Sequence, residues 1–311
     1  MVETMSRWAA VMAMALALAG CGGGGGGAAS PPGSTGLAAS ASSPQPASTV
    51  LKRTAPMGVL VPLYGYPLVS SGSGASRVTS ANPAWTEVAT YAPQVPTLAI
   101  INPSNGPVAC SAPPSATLSA FQQGIAQLHA AGARVLGYVH TSYGQRDLAL
   151  VQQDVQTYAQ CYGVDGVFFD EVATQTSAAA YYAAAAATAR QAILPASGKT
   201  ALVVINPGTY PALAIASTAD ITVMHESMDL NVTAPPASLS AYAPSRYAYL
   251  SLGIATLAQA QASTLATLFQ QGIGYVDLTD QGSGGTDPWA NLSTLYPALI
   301  QTIQTLNRTL S

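Results

Sequence analysis

From residue 57 onward, short runs rich in valine, isoleucine, leucine and aromatic residues recur every few tens of residues. Eight can be marked: Gly58–Tyr64, Thr97–Asn102, Arg134–His140, Gly166–Asp170, Ala201–Asn206, Ile221–Glu226, Tyr247–Leu252 and Gly274–Leu278. Most are near-continuously apolar, as parallel strands buried on both faces are. Helical spacing lies between many of them. Leu118, Phe121, Ile125 and Leu128 fall on one helical face, as do Leu148, Val151, Val155 and Tyr158. Asp147 stands where an N-cap would start the second of these helices. The alanine-rich stretch Ala178–Ile193 is strongly helix-prone, and a leucine and isoleucine stripe from Leu292 to Leu306 closes the chain. No helix is resolved after the fifth and sixth runs. Eight strand–helix alternations predict an α/β fold, a (β/α)8 barrel over residues 55–311. The alternative is a doubly wound sheet, which would need fewer strands, and no glycine-rich dinucleotide turn follows the first one.

The first residues have a different pattern. Arg7 precedes an apolar run from Trp8 to Ala19, too short to span a bilayer and suited to an export signal. The run ends Leu18-Ala19-Gly20-Cys21, which resembles a bacterial lipobox, with Cys21 as the lipidated residue; the alternative is an ordinary signal peptide with a chance cysteine. Residues 1–21 are thus expected to be a lipoprotein signal. Residues 22–54, opened by six glycines and dominated by Gly, Ala, Ser and Pro, are expected to be a flexible tether. The protein is expected to be exported, held at the outer membrane or cell surface by a lipid, and monomeric. In an exported compartment Cys110 and Cys161 are either a disulfide or two free thiols.

Charge is scarce: only 7% of the 311 residues are charged and the net charge is −3. A nucleic-acid binder working through a basic surface is excluded. Scarcity also makes the placement of acids informative. After residue 55 there are only three glutamates, Glu87, Glu171 and Glu226; Glu226 ends a predicted strand and Glu171 directly follows one. Asp170 ends the fourth, beside Glu171. Catalytic groups of such barrels sit at the C-terminal strand ends. Tyr64, Asn102, Tyr138, His140, Tyr143 and Asn206 lie at the same end and are expected to contact substrate. Each acid has a plainer reading. Asp170 or Glu171 could cap the next helix, and Glu226 could pair with His225. Asp165 begins a strand and is expected to be structural. Three histidines without His-x-x-x-His spacing argue against a metal hydrolase, and no GxSxG motif appears, so no metal or cofactor is expected. Paired carboxylates among aromatic walls point to glycoside hydrolysis: one acid protonates the leaving oxygen and the other serves as nucleophile, base or stabiliser.

Six motifs then converge on one family. Val61-Pro62-Leu63-Tyr64-Gly65-Tyr66-Pro67, Ile101–Pro107, Gly137–Gly144, Asp165–Glu171, Asn206–Thr209 and Ala219–Glu226 occur in the order found in the spherulin-4-like family. The motifs cover residues 57 to about 230 and fade beyond. The chain thereby resembles glycoside hydrolase family 135. The resemblance implies a (β/α)8 fold and endo-α-1,4-N-acetylgalactosaminidase activity on galactosaminogalactan, a biofilm polysaccharide. It also implies that Asp170, Glu171 and Glu226 are the functional acids. The family often has Phe-Glu where this chain has His225-Glu226, a departure expected to add a titratable neighbour to Glu226. Successive strand residues face opposite ways, so Asp170 and Glu171 are not expected to face the scissile bond together. The rival readings are a polysaccharide-binding surface lipoprotein, a structural envelope protein and a polysaccharide deacetylase, the last of which lacks its histidine metal pattern.

Overall fold

The structure is a computed structural model. It describes residues 55–310 apart from 196–197, 199, 232–236 and 284–286, so the export signal, Cys21 and the tether lie outside the described residues. Eight parallel strands close into a barrel: β1 (Gly58–Pro62), β4 (Thr97–Ile101), β5 (Arg134–His140), β6 (Gly166–Asp170), β7 (Leu202–Ile205), β8 (Ile221–Ser227), β9 (Tyr247–Ser251) and β10 (Tyr275–Leu278), with β10 returning to β1. All eight fall inside or within a residue of the expected runs. The fold is the (β/α)8 barrel, not the doubly wound sheet.

Side-chain alternation divides the core in two. Leu60, Leu98, Ile100, Leu136, Phe168, Val204, Val223 and Leu250 fill the barrel interior. Their sequence neighbours, such as Val59, Val61, Ala99, Val135, Val167 and Val203, pack outward against the helices. Burying each such valine, leucine, isoleucine or phenylalanine stabilises the fold by about 1.5–3 kcal/mol before entropy is counted, which is why both faces of these strands are apolar.

The helices are α1 (Pro83–Tyr91), α2 (Ala116–Ala130), α3 (Leu148–Cys161), α4 (Ala179–Ala192), the single turn α5 (Leu213–Ala216), α6 (Gln259–Gln270) and α7 (Tyr296–Asn307). Asp147 caps α3 as expected, its carboxylate accepting from the Ala149 N–H at 2.8 Å. The C-terminal stripe begins later than its spacing suggested, since Leu292 and Leu295 precede α7. Between β8 and β9 the described residues form only 3-10 turns. Two glycines are required by close approach: a Cβ on Gly124 of α2 would lie 2.4 Å from the Trp85 ring, and one on Gly137 of β5 would lie 2.6 Å from the Tyr158 ring.

One element was not anticipated. β2 (Leu68–Ser71) and β3 (Val78–Ala81) form an antiparallel hairpin between β1 and α1. Its strands are mostly exposed on both faces, so they lack the in–out alternation that marks a strand in sequence.

Candidate active site

The C-terminal ends of β5 to β8 bring Tyr138, Asp170, Asn206 and Glu226 together. Asp170 is the last residue of β6, 8% exposed. The Tyr138 hydroxyl donates to its Oδ2 at 2.9 Å, and the Asn206 amide donates to its Oδ1 at 2.8 Å. The same Asn206 nitrogen donates to Glu226 Oε2 at 2.5 Å. Asn206 is held in that orientation because its Oδ1 accepts from the Gly208 N–H at 3.0 Å. The two bridged carboxylate oxygens can be no further apart than the two donor distances laid end to end, about 5.3 Å.

Glu226 faces inward because of a β-bulge. Val223 pairs with Ala248, but the next register pair is His225 with Tyr249, then Glu226 with Leu250. Met224 is the extra residue. Strict alternation from the inward Val223 would have turned His225 into the barrel and Glu226 out of it. The bulge reverses both, a use of bulges common beside active sites. His225 instead stacks on Tyr249, ring centroids 5.4 Å apart, and its Nε2 lies 3.0 Å from the Asp229 carbonyl and 3.2 Å from Asp229 Oδ1. The expected neighbour effect of His225 on Glu226, and an ion pair between them, are therefore both corrected: His225 belongs to the outer layer and pairs with Asp229.

Glu171 is set apart from the pair. Its backbone is left-handed, φ 53°, as are those of Ser142 (48°) and Tyr143 (55°). These conformations cost non-glycine residues free energy, and persist where surroundings impose them. Here the Glu171 carbonyl accepts from the Tyr143 N–H at 2.6 Å and from the Thr141 hydroxyl at 2.8 Å. Thr141 also donates to the Asp170 carbonyl, and the Tyr182 hydroxyl lies 3.1 Å from the Thr141 hydroxyl while accepting from the Ala173 N–H. Glu171 Oε2 accepts from the Ser142 N–H at 3.2 Å. The helix-cap reading fails for both acids, because α4 begins only at Ala179 and has no side-chain cap.

The electrostatics separate the two bridged acids. Burial raises the Asp170 pKa, opposed by hydrogen bonds from the Glu171 backbone, Tyr138 and Asn206. Glu226 is pushed up to about 7 by burial and by the charge of Asp170, opposed by Asn206 and the Trp289 side chain. Asp170 is stabilised as an anion by more donors, so Glu226 is the member that holds a proton near neutrality. The Tyr138 phenol is raised, first by burial and then by Asp170.

The other expected contacts divide. Tyr64 packs edge-on against Tyr138, ring centroids 5.5 Å apart, and its phenol is raised by burial and then by Asp170. Tyr143 stands at the rim, 49% exposed. Asn102 and His140 brace the loop after β4: Asn102 Oδ1 accepts from the Gly106 N–H, and His140 Nδ1 donates to the Asn105 carbonyl, while His140 pairs in register with Asp170. That loop is tied down by a disulfide between Cys110 and Cys161, Cα atoms 5.9 Å apart. Asp165 sits at the opposite end, accepting from the Val135 N–H and contacting His129. Among the described residues no group of three metal-ligating side chains occurs, and no helix is long and apolar enough to cross a membrane. Trp289 was missed. It lies after β10 in a loop without periodicity, and a lone tryptophan among Gly, Ser and Asp was its only signal.

A family model described as spherulation-specific family 4 matches residues 58–303. This chain belongs to the spherulin-4 family. The match runs well past residue 230, where the motifs had faded. Spherulin-4 of Physarum polycephalum is 33% identical over 240 residues, which is 74% of this chain and 65% of that protein, so this chain spans just under two thirds of that relative's length. The crystal structure of Aspergillus clavatus Sph3 in complex with GalNAc has the same fold, with a TM-score of 0.61 and 24% identity over 80% of this chain and 98% of that one. A broad-specificity endoglucanase from an uncultured bacterium aligns more loosely, with a TM-score of 0.46 and 12% identity over 81% of this chain and 94% of that one.

Proposed function

We propose that the chain is an exported glycoside hydrolase that cuts within an N-acetylgalactosamine-containing polysaccharide, α-1,4-linked, by a retaining mechanism. The observation that carries this is the Asn206 bridge: two inward carboxyls in a barrel mouth, within about 5.3 Å at their bridged oxygens and unequal in proton affinity. Retaining glycosidases hold their carboxyls about 5–5.5 Å apart, and inverting ones about 6.5–9.5 Å. Glu226 gives its proton to the glycosidic oxygen as the bond from that oxygen to the anomeric carbon breaks. Asp170 bonds to the anomeric carbon. Water then attacks that carbon, loses a proton to Glu226, and frees Asp170. Glu171, beside Tyr143 at the rim, binds the sugar instead of reacting with it. The choice of sugar is supported by the GalNAc bound by the Aspergillus relative, and the linkage is what the resemblance of the six motifs implies.

Export and lipid anchoring rest on the apolar run and Cys21; a Cys21→Ser protein that stays membrane-bound would remove the anchor. The decisive assay is reducing-end release by residues 55–311 from partly de-N-acetylated α-1,4-galactosaminan. Asp170→Asn and Glu226→Gln should each lower the rate roughly a hundred- to ten-thousand-fold. Polymer binding without release by the unaltered protein would make the chain a binding lipoprotein.

A further inference from the structure

The left-handed turns at Glu171 and Ser142 share one buried support. Thr141 follows β5 and Tyr182 belongs to α4, and both are buried. The Thr141 hydroxyl lies 2.8 Å from two carbonyls, those of Asp170 and Glu171. Carbonyls only accept, so the one Thr141 proton is committed to them. The Tyr182 hydroxyl, 3.1 Å away, then donates to the Thr141 oxygen, while its own oxygen accepts from the Ala173 N–H at 2.8 Å. The donors thus run one way, from the Ala173 N–H through two hydroxyls to the carbonyls of Asp170 and Glu171. This support bears unequally on the two acids. The Asp170 carboxyl has side-chain donors of its own, Tyr138 and Asn206. The Glu171 carboxylate accepts from the Ser142 N–H at 3.2 Å, and Ser142 is the residue after Thr141. Left-handed turns without glycine persist where the surroundings over-determine them, and here the hydroxyl relay joins the two turns.

We infer that Thr141 and Tyr182 are positioning residues: their hydroxyl relay holds the Glu171 turn and so aims the Glu171 carboxylate at the sugar. The inference rests on the reading of Glu171 as a sugar-binding group, and adds what sets its direction. Both residues act through Glu171 and neither touches the substrate. Asp170 keeps its side-chain donors when the relay is cut, so the loss falls on binding and spares bond cleavage.

The experiment compares Tyr182→Phe, Thr141→Val and Thr141→Ser with the unaltered protein. Reducing-end release from partly de-N-acetylated α-1,4-galactosaminan gives kcat and KM. Calorimetric titration of an α-1,4-linked N-acetylgalactosamine tetrasaccharide gives Kd, and thermal melts report folding. Tyr182→Phe and Thr141→Val should each raise KM roughly tenfold, the worth of one hydrogen bond to a charged group, with kcat within about twofold. Thr141→Val reads the same relay if Tyr182→Phe does not fold. Thr141→Ser keeps the hydroxyl and should keep KM near that of the unaltered protein, whereas a role in packing alone would make serine the worse replacement. Tyr182→Phe should add little to the KM of Glu171→Gln, because the two act through one group. A folded Tyr182→Phe with unchanged KM, or a rise that adds in full to that of Glu171→Gln, overturns the inference. Tetrasaccharide binding without reducing-end release overturns the hydrolase reading instead, and the same pattern read in Kd then sustains the positioning role.

Discussion

Asp170 and Glu226 are chemically similar side chains made unequal by their donors. Asp170 collects a phenol, an amide and a backbone N–H, whereas Glu226 shares the amide and takes the Trp289 contact. If Glu226 is the proton donor, activity needs it protonated. Its raised pKa keeps the proton to about 7, so the rate should fall as pH rises through that value, with an acid limb set by the ionisation of Asp170. A pH profile of kcat/KM, which reports the ionisations of the free enzyme, tests this. Any residual activity of Glu226→Gln should lack the alkaline limb, and a limb that persists unchanged would assign it to another group.

At the scale of elements, the loop after β4 and the bulge in β8 decide what the mouth presents. The Cys110–Cys161 bridge closes a loop over 51 residues of sequence separation. Replacing both cysteines by serine should lower stability by about 2–4 kcal/mol, read as the shift of a denaturant midpoint. The same pair should raise KM more than it lowers kcat, because the bridge anchors the end of the loop after β4, which carries Asn105 and Gly106 and none of the acids. An unchanged midpoint would mean the bridge constrains nothing in the unfolded chain. The strands that carry the site were legible because both their faces are buried, and so was the cap at Asp147. The hairpin β2–β3 was not, since residues exposed on both faces carry no periodic signal.

At the scale of the whole molecule, a third inward carboxyl stands out. Asp277 of β10 is 3% exposed, pairs in register with the inward Leu250, and has an Oδ1 without a hydrogen-bond partner. Burial pushes its pKa up to about 7. An acid whose pKa is raised on folding keeps its proton while the unfolded chain loses it, so stability falls as pH rises from about 4 to about 7 and levels off above. Asp277→Asn should therefore be more stable than the unaltered protein at pH 8, by on the order of 1–4 kcal/mol. That gain should vanish by about pH 4, where both side chains are neutral. Thermal melts at the two pH values check it; a variant less stable at pH 8 would mean the carboxylate has a partner it needs.

The amino-acid sequence by itself determined the alternation of eight buried strands with helices, the family, and the gathering of scarce acids at one end of the barrel. The first and last are local facts of composition and spacing, and the family is read from six motifs in order along the chain. What only the tertiary structure decided is which way those acids face. A strict period of two from Val223 would aim His225 into the barrel and turn Glu226 out of it; the extra residue Met224, visible only against the pairing with β9, reverses them. The left-handed turn at Glu171, the single Asn206 amide across Asp170 and Glu226, and the arrival of Trp289 from a distant loop likewise depend on contacts between strands far apart in the chain. Side-chain direction within a strand is a local property, but its phase is set by the neighbouring strand, and that neighbour exists only in the closed barrel.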